Sequence, residues 1–253
     1  MENFLNTILN KLVINILFVT LIGTSHANNK KTDYQIPKLL LEQVDKGNSE
    51  AAYFIADTFL NGSEKININH DKAIKWLKKA AKMGNPHAIL SYAKELDSDG
   101  NHETALTYYQ HASENGMPEA YEMIGNYYLE GKAGLKKNCH KAYVFFEKAE
   151  LREYKTAFNN HAWSLATAKD SECNNPERAL RVFYKMLALY GSDYIPLYIM
   201  DTKAAVLAAV SDFGQAIKIQ QEIIDDMKDK EIKINPQFIK HLESYKLRQA
   251  WIE

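Results

Sequence analysis

Between Ala73 and Ala88 the chain reads AIKWLKKAAKMGNPHA, apolar and alanine positions recurring at helical steps with lysines filling the intervals. That period turns one stripe of an amphipathic helix inward. Gly84 then supplies a residue able to stop the helix, and Pro86 stands where proline opens the next one. The stripe returns, opening at Ala105 in TALTYYQHASENGMPEA, Ala142 in KAYVFFEKAE, Ala179 in RALRVFYKML and Ala216 in QAIKIQQEI, at spacings of 32, 37, 37 and 37 residues. Recurrence on that scale marks stacked helical hairpins, each burying its apolar face only against its neighbours. The pattern predicts an all-α fold, a right-handed α-solenoid of antiparallel helix pairs.

The expected organisation is a single helical-repeat domain over 37–253. KLLLEQVDKG after Pro37 reads as an N-terminal cap over 37–47. Repeats follow at about 48–84, 85–116, 117–152, 153–190 and 191–227, and a polar-faced helix over 235–253 closes the array. In the third repeat Ala120, Ile124, Gly125, Tyr128 and Gly131 share one helix, where Gly125 lets the partner helix approach and Gly131 ends the turn. Ala51, Ile55, Ala56, Phe59 and Gly62 are their counterparts in the first repeat, and Ala93 and Ala162 replace the close-contact glycine elsewhere. Asp71 is the expected N-cap of the first lysine-rich helix.

The N-terminus follows a different pattern. Lys11 precedes LVINILFVTLIG, a twelve-residue apolar run, and Ser25-His26-Ala27 then offers small residues before a polar stretch. This reads as a signal peptide over 1–27, cleaved after Ala27, with a flexible segment over 28–36. The run is shorter than the roughly 20 residues of a spanning helix, so no stable membrane anchor is expected in the mature chain. The expected location is periplasmic or secreted.

Composition adds little to the periodicity. The 253 residues are 46% hydrophobic and 25% charged, enough to build a core, and a formal net charge of -1 gives no global pull toward nucleic acid. The two cysteines, Cys139 and Cys173, are too few for a disulfide framework. Each falls in a turn leading into a second helix, and stacked units place such turns side by side, so one disulfide is expected; two isolated thiols are the alternative.

The pattern G-x-x-x-A-x-x-x-[LI]-[GA]-x-x-[YF]-x-x-G followed by K-A-x-x-[WYF]-x-x-K-A-A-x-x-G, carried by residues 47–153, resembles the SEL-like repeat, a subclass of tetratricopeptide-like helical hairpins. Downstream, AFNNHAWSLATAKD and MDTKAAVLAAVSDFGQAIKIQQEII are similar to tetratricopeptide units, with Lys203 standing where that pattern places leucine. The resemblance implies an adaptor or assembly scaffold that binds proteins.

The residues themselves offer little chemistry. His70, His87, His102, His111, His140, His161 and His241 are scattered, without H-x-x-x-H or H-E-x-x-H spacing. Zinc-type cysteine pairs, a phosphate-binding glycine loop and G-x-S-x-G are missing from the sequence, so no metal, cofactor, nucleic-acid partner or enzymatic activity is expected. Taking Ile55, Tyr92, Ile124 and His161 as equivalent inward positions, the residues five before, two before, two after and six after should face a concave groove. The groove set is Glu50, Tyr53, Asp57, Lys94, Glu119, Glu122, Asn126, Glu130, Asn159 and Trp163, with Asp201 added from the fifth repeat. Its excess of carboxylates suits a basic protein or peptide, anchored on Tyr53 and Trp163. The alternative is a cell-envelope enzyme or a protein binding a small wall-derived compound, which would need groups such as His161 and Asp201 to converge in one pocket.

Overall fold

The computed structural model describes residues 36–62, 66–191 and 195–253. The expected signal peptide, and the segment after it up to residue 35, lie outside the described residues. The chain divides into two compact units, Met1–Gly100 and Asn101–Glu253. Their described parts are all-α, built of antiparallel helix pairs as the solenoid reading requires.

In the first unit α1 (Lys38–Asp45), α2 (Ser49–Asn61), α3 (His70–Lys82) and α4 (Pro86–Ser98) pack in sequence order, α2 on α3 and α3 on α4. The stripe repeats of alanine supply close contact: Ala51, Ala56, Ala73 and Ala80 are fully buried with Ile55 and Leu77. The N-cap of α3 is Asn69, not Asp71: its side chain accepts from the Lys72 N–H at 2.9 Å, and Asp71 sits in the first turn. Asn48 and Asn85 cap α2 and α4 in the same way. Gly84 takes φ +83°, which lets the Asn85 N–H reach back to the Ala80 carbonyl at 3.1 Å. Asn85 caps the next helix while Pro86 opens it, so two residues complete the reversal.

The second unit holds α5 (His102–Glu114), α6 (Pro118–Glu130), α7 (Cys139–Glu150), α8 (Lys155–Thr167), α9 (Pro176–Ala188), α10 (Leu197–Ala209), α11 (Phe213–Asp229) and α12 (Pro236–Lys246). The pairs α6/α7, α8/α9 and α10/α11 stack through contacts of α8 with α6, α7 and α10, and α12 closes on α11. One core joins Phe146, Phe158, Leu165, Phe183, Met186 and Ile199; a second joins Leu207, Ile219, Ile223, Met227 and Tyr245. Some reversals lack glycine. Glu153 takes φ +57° before α8 and Ser211 φ +67° before α11. The helix expected over 235–253 ends at Lys246, and residues 247–253 leave it.

One backbone bond recurs at equivalent places in the repeat. The N–H of the capping asparagine donates to a carbonyl of the preceding helix: Asn69 to Phe59 at 2.9 Å, Asn138 to Tyr128 at 2.8 Å and Asn175 to Leu165 at 2.8 Å. These acceptors lie four residues beyond Ile55, Ile124 and His161, which places those three in one register.

Candidate functional site

The site is a cavity of about 700 Å³ within the second unit. The C-terminal half of α6 contributes Asn126 and Glu130 to its lining; α8 contributes Asn160, Trp163 and Thr167. The loops around Cys139 and Cys173 close one side, and Glu253 stands on another.

Those loops are held by the Cys139–Cys173 disulfide, with Cα atoms 5.9 Å apart, so the expected bridge is present. Tyr143 ties the second loop to the helices. Its hydroxyl donates to the Cys173 carbonyl at 2.8 Å and lies 3.2 Å from the Ser164 hydroxyl. Burial pushes the Tyr143 phenol above its ordinary range, against the lowering influence of the Ser164 bond and Arg178. The Asn174 amide donates to the Ala168 carbonyl at 3.0 Å, fixing the exit of α8.

Beneath the cavity, Glu122 gathers two amides. Asn160 donates to Glu122 Oε1 at 2.6 Å and Asn126 donates to the same oxygen. Each asparagine is thereby oriented, with one N–H left over for other partners; the Asn160 oxygen already accepts from the Asn159 amide at 3.5 Å. Glu130 pairs with Lys132 at 3.2 Å, while Asp170, Glu172 and Glu253 on the lining enter no ion pair among the described residues.

Trp163 links the cavity to a second layer. Its indole N–H donates to Glu253 Oε2 at 3.0 Å, and its ring lies 5.5 Å from that of His241. His241 is buried and held through Nδ1 by Asp201 Oδ1 at 2.9 Å. Trp251 packs on the same imidazole at 4.7 Å.

Of the residues read from sequence, Asn126, Glu130 and Trp163 line the cavity. Glu122, Asn159 and Asp201, expected on the groove surface, are instead buried at 4%, 7% and 7% exposure. The first two stand two residues before an inward position, where one first helix meets the next in the stack. Glu119 is half-buried near Tyr154, whose phenol is pushed up to about 12 by burial, reinforced by the Glu119 and Glu122 charges. In the first unit Glu50 and Lys94 are exposed. There Tyr53 stacks on His87 at 5.9 Å, and Asp57 accepts from Asn61 at 2.8 Å.

His161 and Asp201 do not converge. His161 pairs with Glu150 at 2.7 Å between the rings of Tyr143 and Phe146, Asp201 pairs with His241, and neither lines the cavity. Asn160 and Glu253 escaped the sequence reading. Asn160 is one step from Asn159, and only the Glu122 contact distinguishes them.

A stack of antiparallel pairs with capped, alanine-lined hairpins and an open polar cavity defines a helical-repeat scaffold. The Sel1 repeat family matches residues 49–85, 90–117 and 118–152, and the chain carries Sel1 repeats there. Proteins built of such repeats are in general protein-interaction scaffolds. Chitin synthase regulatory factor 4 of Schizosaccharomyces pombe is 33% identical over 79 residues, which is 31% of this chain and 12% of that protein. This chain therefore spans about an eighth of that relative's length. A Sel1 repeat protein from Oxalobacter formigenes superposes with a TM-score of 0.54 at 22% identity, covering 76% of each chain, a likeness of fold. A protective antigen present in uropathogenic Escherichia coli strains, displaying an SLR fold, aligns with a TM-score of 0.46 at 19% identity over 83% of this chain and 40% of that one.

Proposed function

We propose that the protein is a periplasmic or secreted scaffold, exported by its N-terminal 27 residues, that holds a segment of a basic protein partner in the cavity of its second unit. The observation carrying this reading is the lining. Oriented amides at Asn126 and Asn160 suit a peptide backbone, the Trp163 ring suits an apolar stem, and Asp170, Glu172 and Glu253 stand without ion pairs among the described residues. Against them stand Lys137 and Lys169. Complementary charge speeds encounter and excludes acidic competitors, while the indole supplies contact area. The disulfide supports an oxidising compartment. In the first unit, Glu50, Tyr53, Asp57 and Lys94 are proposed as a separate contact surface.

The test is capture from envelope extract under mild crosslinking, with the mature chain as bait beside an Asp170→Asn/Glu172→Gln variant. A basic protein recovered by the parent chain should be depleted with the variant, and its salt dependence should flatten. Equal recovery at low ionic strength would place the contact elsewhere.

A further inference from the structure

Beyond α12 the chain turns at Arg248, which takes φ +56°, with the Ser244 hydroxyl bound to the Gln249 carbonyl at 2.9 Å. The segment then crosses to the end of α8. There the Glu253 N–H donates to the Thr167 carbonyl at 2.8 Å, and the Lys169 N–H donates to the Glu253 carbonyl at 3.2 Å. These two bonds clip the end of the segment to the exit of α8. Two residues earlier, Trp251 rests on His241, whose orientation Asp201 fixes. Trp251 on His241 and Glu253 on Trp163 both fasten to one ring pair, since the Trp163 and His241 rings lie 5.5 Å apart.

We infer that residues 249–252 hold Glu253 as a built-in wall of the cavity, and that the Glu253 carboxylate selects a cationic side chain on the segment bound there. This rests on the partner-binding reading above. The cavity persists with the segment in place, so the segment borders the space and does not fill it. Glu253 has one oxygen committed to the Trp163 N–H, and a carboxylate has two oxygens with about four acceptor sites. It enters no ion pair among the described residues, and the backbone clip holds it where a guest ammonium or guanidinium would meet it. Asp201, buried and not itself on the lining, reaches it only through His241, which packs against both Trp163 and Trp251.

The test uses two fluorescein-labelled octapeptides of alternating glycine and lysine or alternating glycine and glutamate, titrated against the full mature chain. The parent should prefer the lysine peptide. Glu253→Gln, which keeps the wall and the indole acceptor, should cut that preference about tenfold, the scale of one charge-assisted hydrogen bond. Deleting residues 251–253 should weaken the lysine peptide at least as much. A preference unchanged in Glu253→Gln overturns the inference, and tighter binding after the deletion would make the segment a plug instead. Asn160→Ala separates the two readings. If it weakens both peptides alike while Glu253→Gln changes nothing, only the wall fails; if the parent binds neither peptide, or Asn160→Ala leaves both unchanged, the cavity reading fails as well.

Discussion

Gly125 offers a test of how tightly the third repeat is packed, because two effects of known size oppose each other there. Replacing it with alanine in mid-helix should gain about 1 kcal/mol from helix propensity alone. Against this, a methyl at Gly125 would lie 2.6 Å from Phe146 Cε1, 2.8 Å from Cδ1 and 3.2 Å from the Ala142 carbonyl oxygen. Phe146 has no exposure, and the His161 ring stands 5.8 Å from its centroid, so the phenyl group lacks an open side to move into. Overpacking of this kind costs about 1–3 kcal/mol, and two ring atoms inside contact distance place it in the upper half of that range. The expected net effect of Gly125→Ala is a loss of about 1–2 kcal/mol, or a melting temperature lower by a few degrees at about 2–4 °C per kcal/mol. Phe146→Leu alone should cost roughly 1–2 kcal/mol through the space it empties, but in the Gly125→Ala background the methyl fills part of that space. A chemical-denaturation cycle over the four chains should therefore give a favourable coupling of about 1 kcal/mol. A Gly125→Ala chain as stable as the parent, or zero coupling, would refute the close approach.

Replacing Cys139 and Cys173 with serine releases a loop of sequence separation 34, for which the chain-entropy relation gives about 4 kcal/mol at 25 °C. Urea denaturation of the oxidised parent and the double serine chain measures it, and a difference under about 1 kcal/mol would mean the loop ends are already fixed by Tyr143 and Asn174. Stability should also fall in alkali. Burial raises Tyr154 and Tyr190 to about 12, and raises Tyr143 and Tyr245 as well. The folded chain keeps these protons after the unfolded chain has lost its own, so their contribution is complete below about 10 and declines as pH rises from there to about 12. Tyr245→Phe, which removes a buried hydroxyl without a hydrogen-bond partner among the described residues, should blunt the decline and stabilise the neutral protein by about 1 kcal/mol. A denaturation midpoint flat across that window, followed beside tyrosinate absorbance, would contradict the assigned burial.

The fold was legible because the repeat writes its constraints more than once. Met83-Gly84-Asn85-Pro86 and Asn115-Gly116-Met117-Pro118 show the same reversal, and Gly116 takes φ +78° as Gly84 takes +83°. Where the reversal before α8 uses Glu153 at φ +57°, no glycine marks it. A non-glycine residue there costs roughly 1 kcal/mol, which packing of the flanking helices covers, so the boundary was readable only from the apolar stripe of α9. The N-cap of α3 was misplaced for a related reason: aspartate and asparagine cap about equally well, and Asn69 and Asp71 stand only two residues apart at the start of the same helix, Asp71 within its first turn.

The site was legible only in part, and the division follows from stacking. Positions two and six residues after the inward residue meet the cavity in both first helices that build it, as Asn126 and Glu130 and as Trp163 and Thr167 do. Of the positions two before it, Leu90, Glu122 and Asn159 are buried and Tyr53 is half-buried; in α6 and α8 that side of the first helix faces a neighbour in the stack. A helix wheel drawn for one hairpin treats both sides as surface; a stacked hairpin has only one. Glu122 thus moves from the groove wall to a support under it, tolerable at 4% exposure because two amides donate to it. Glu253 could not be placed at all. LESYKLRQAWIE keeps a helical period without proline or glycine, and the break after Lys246 depends on Arg248 adopting φ +56°, which the tryptophan–histidine contact and the clip to α8 make worthwhile. Long-range contacts of that kind leave no local trace, so the residue nearest the proposed specificity of the site is the one that periodicity hides best.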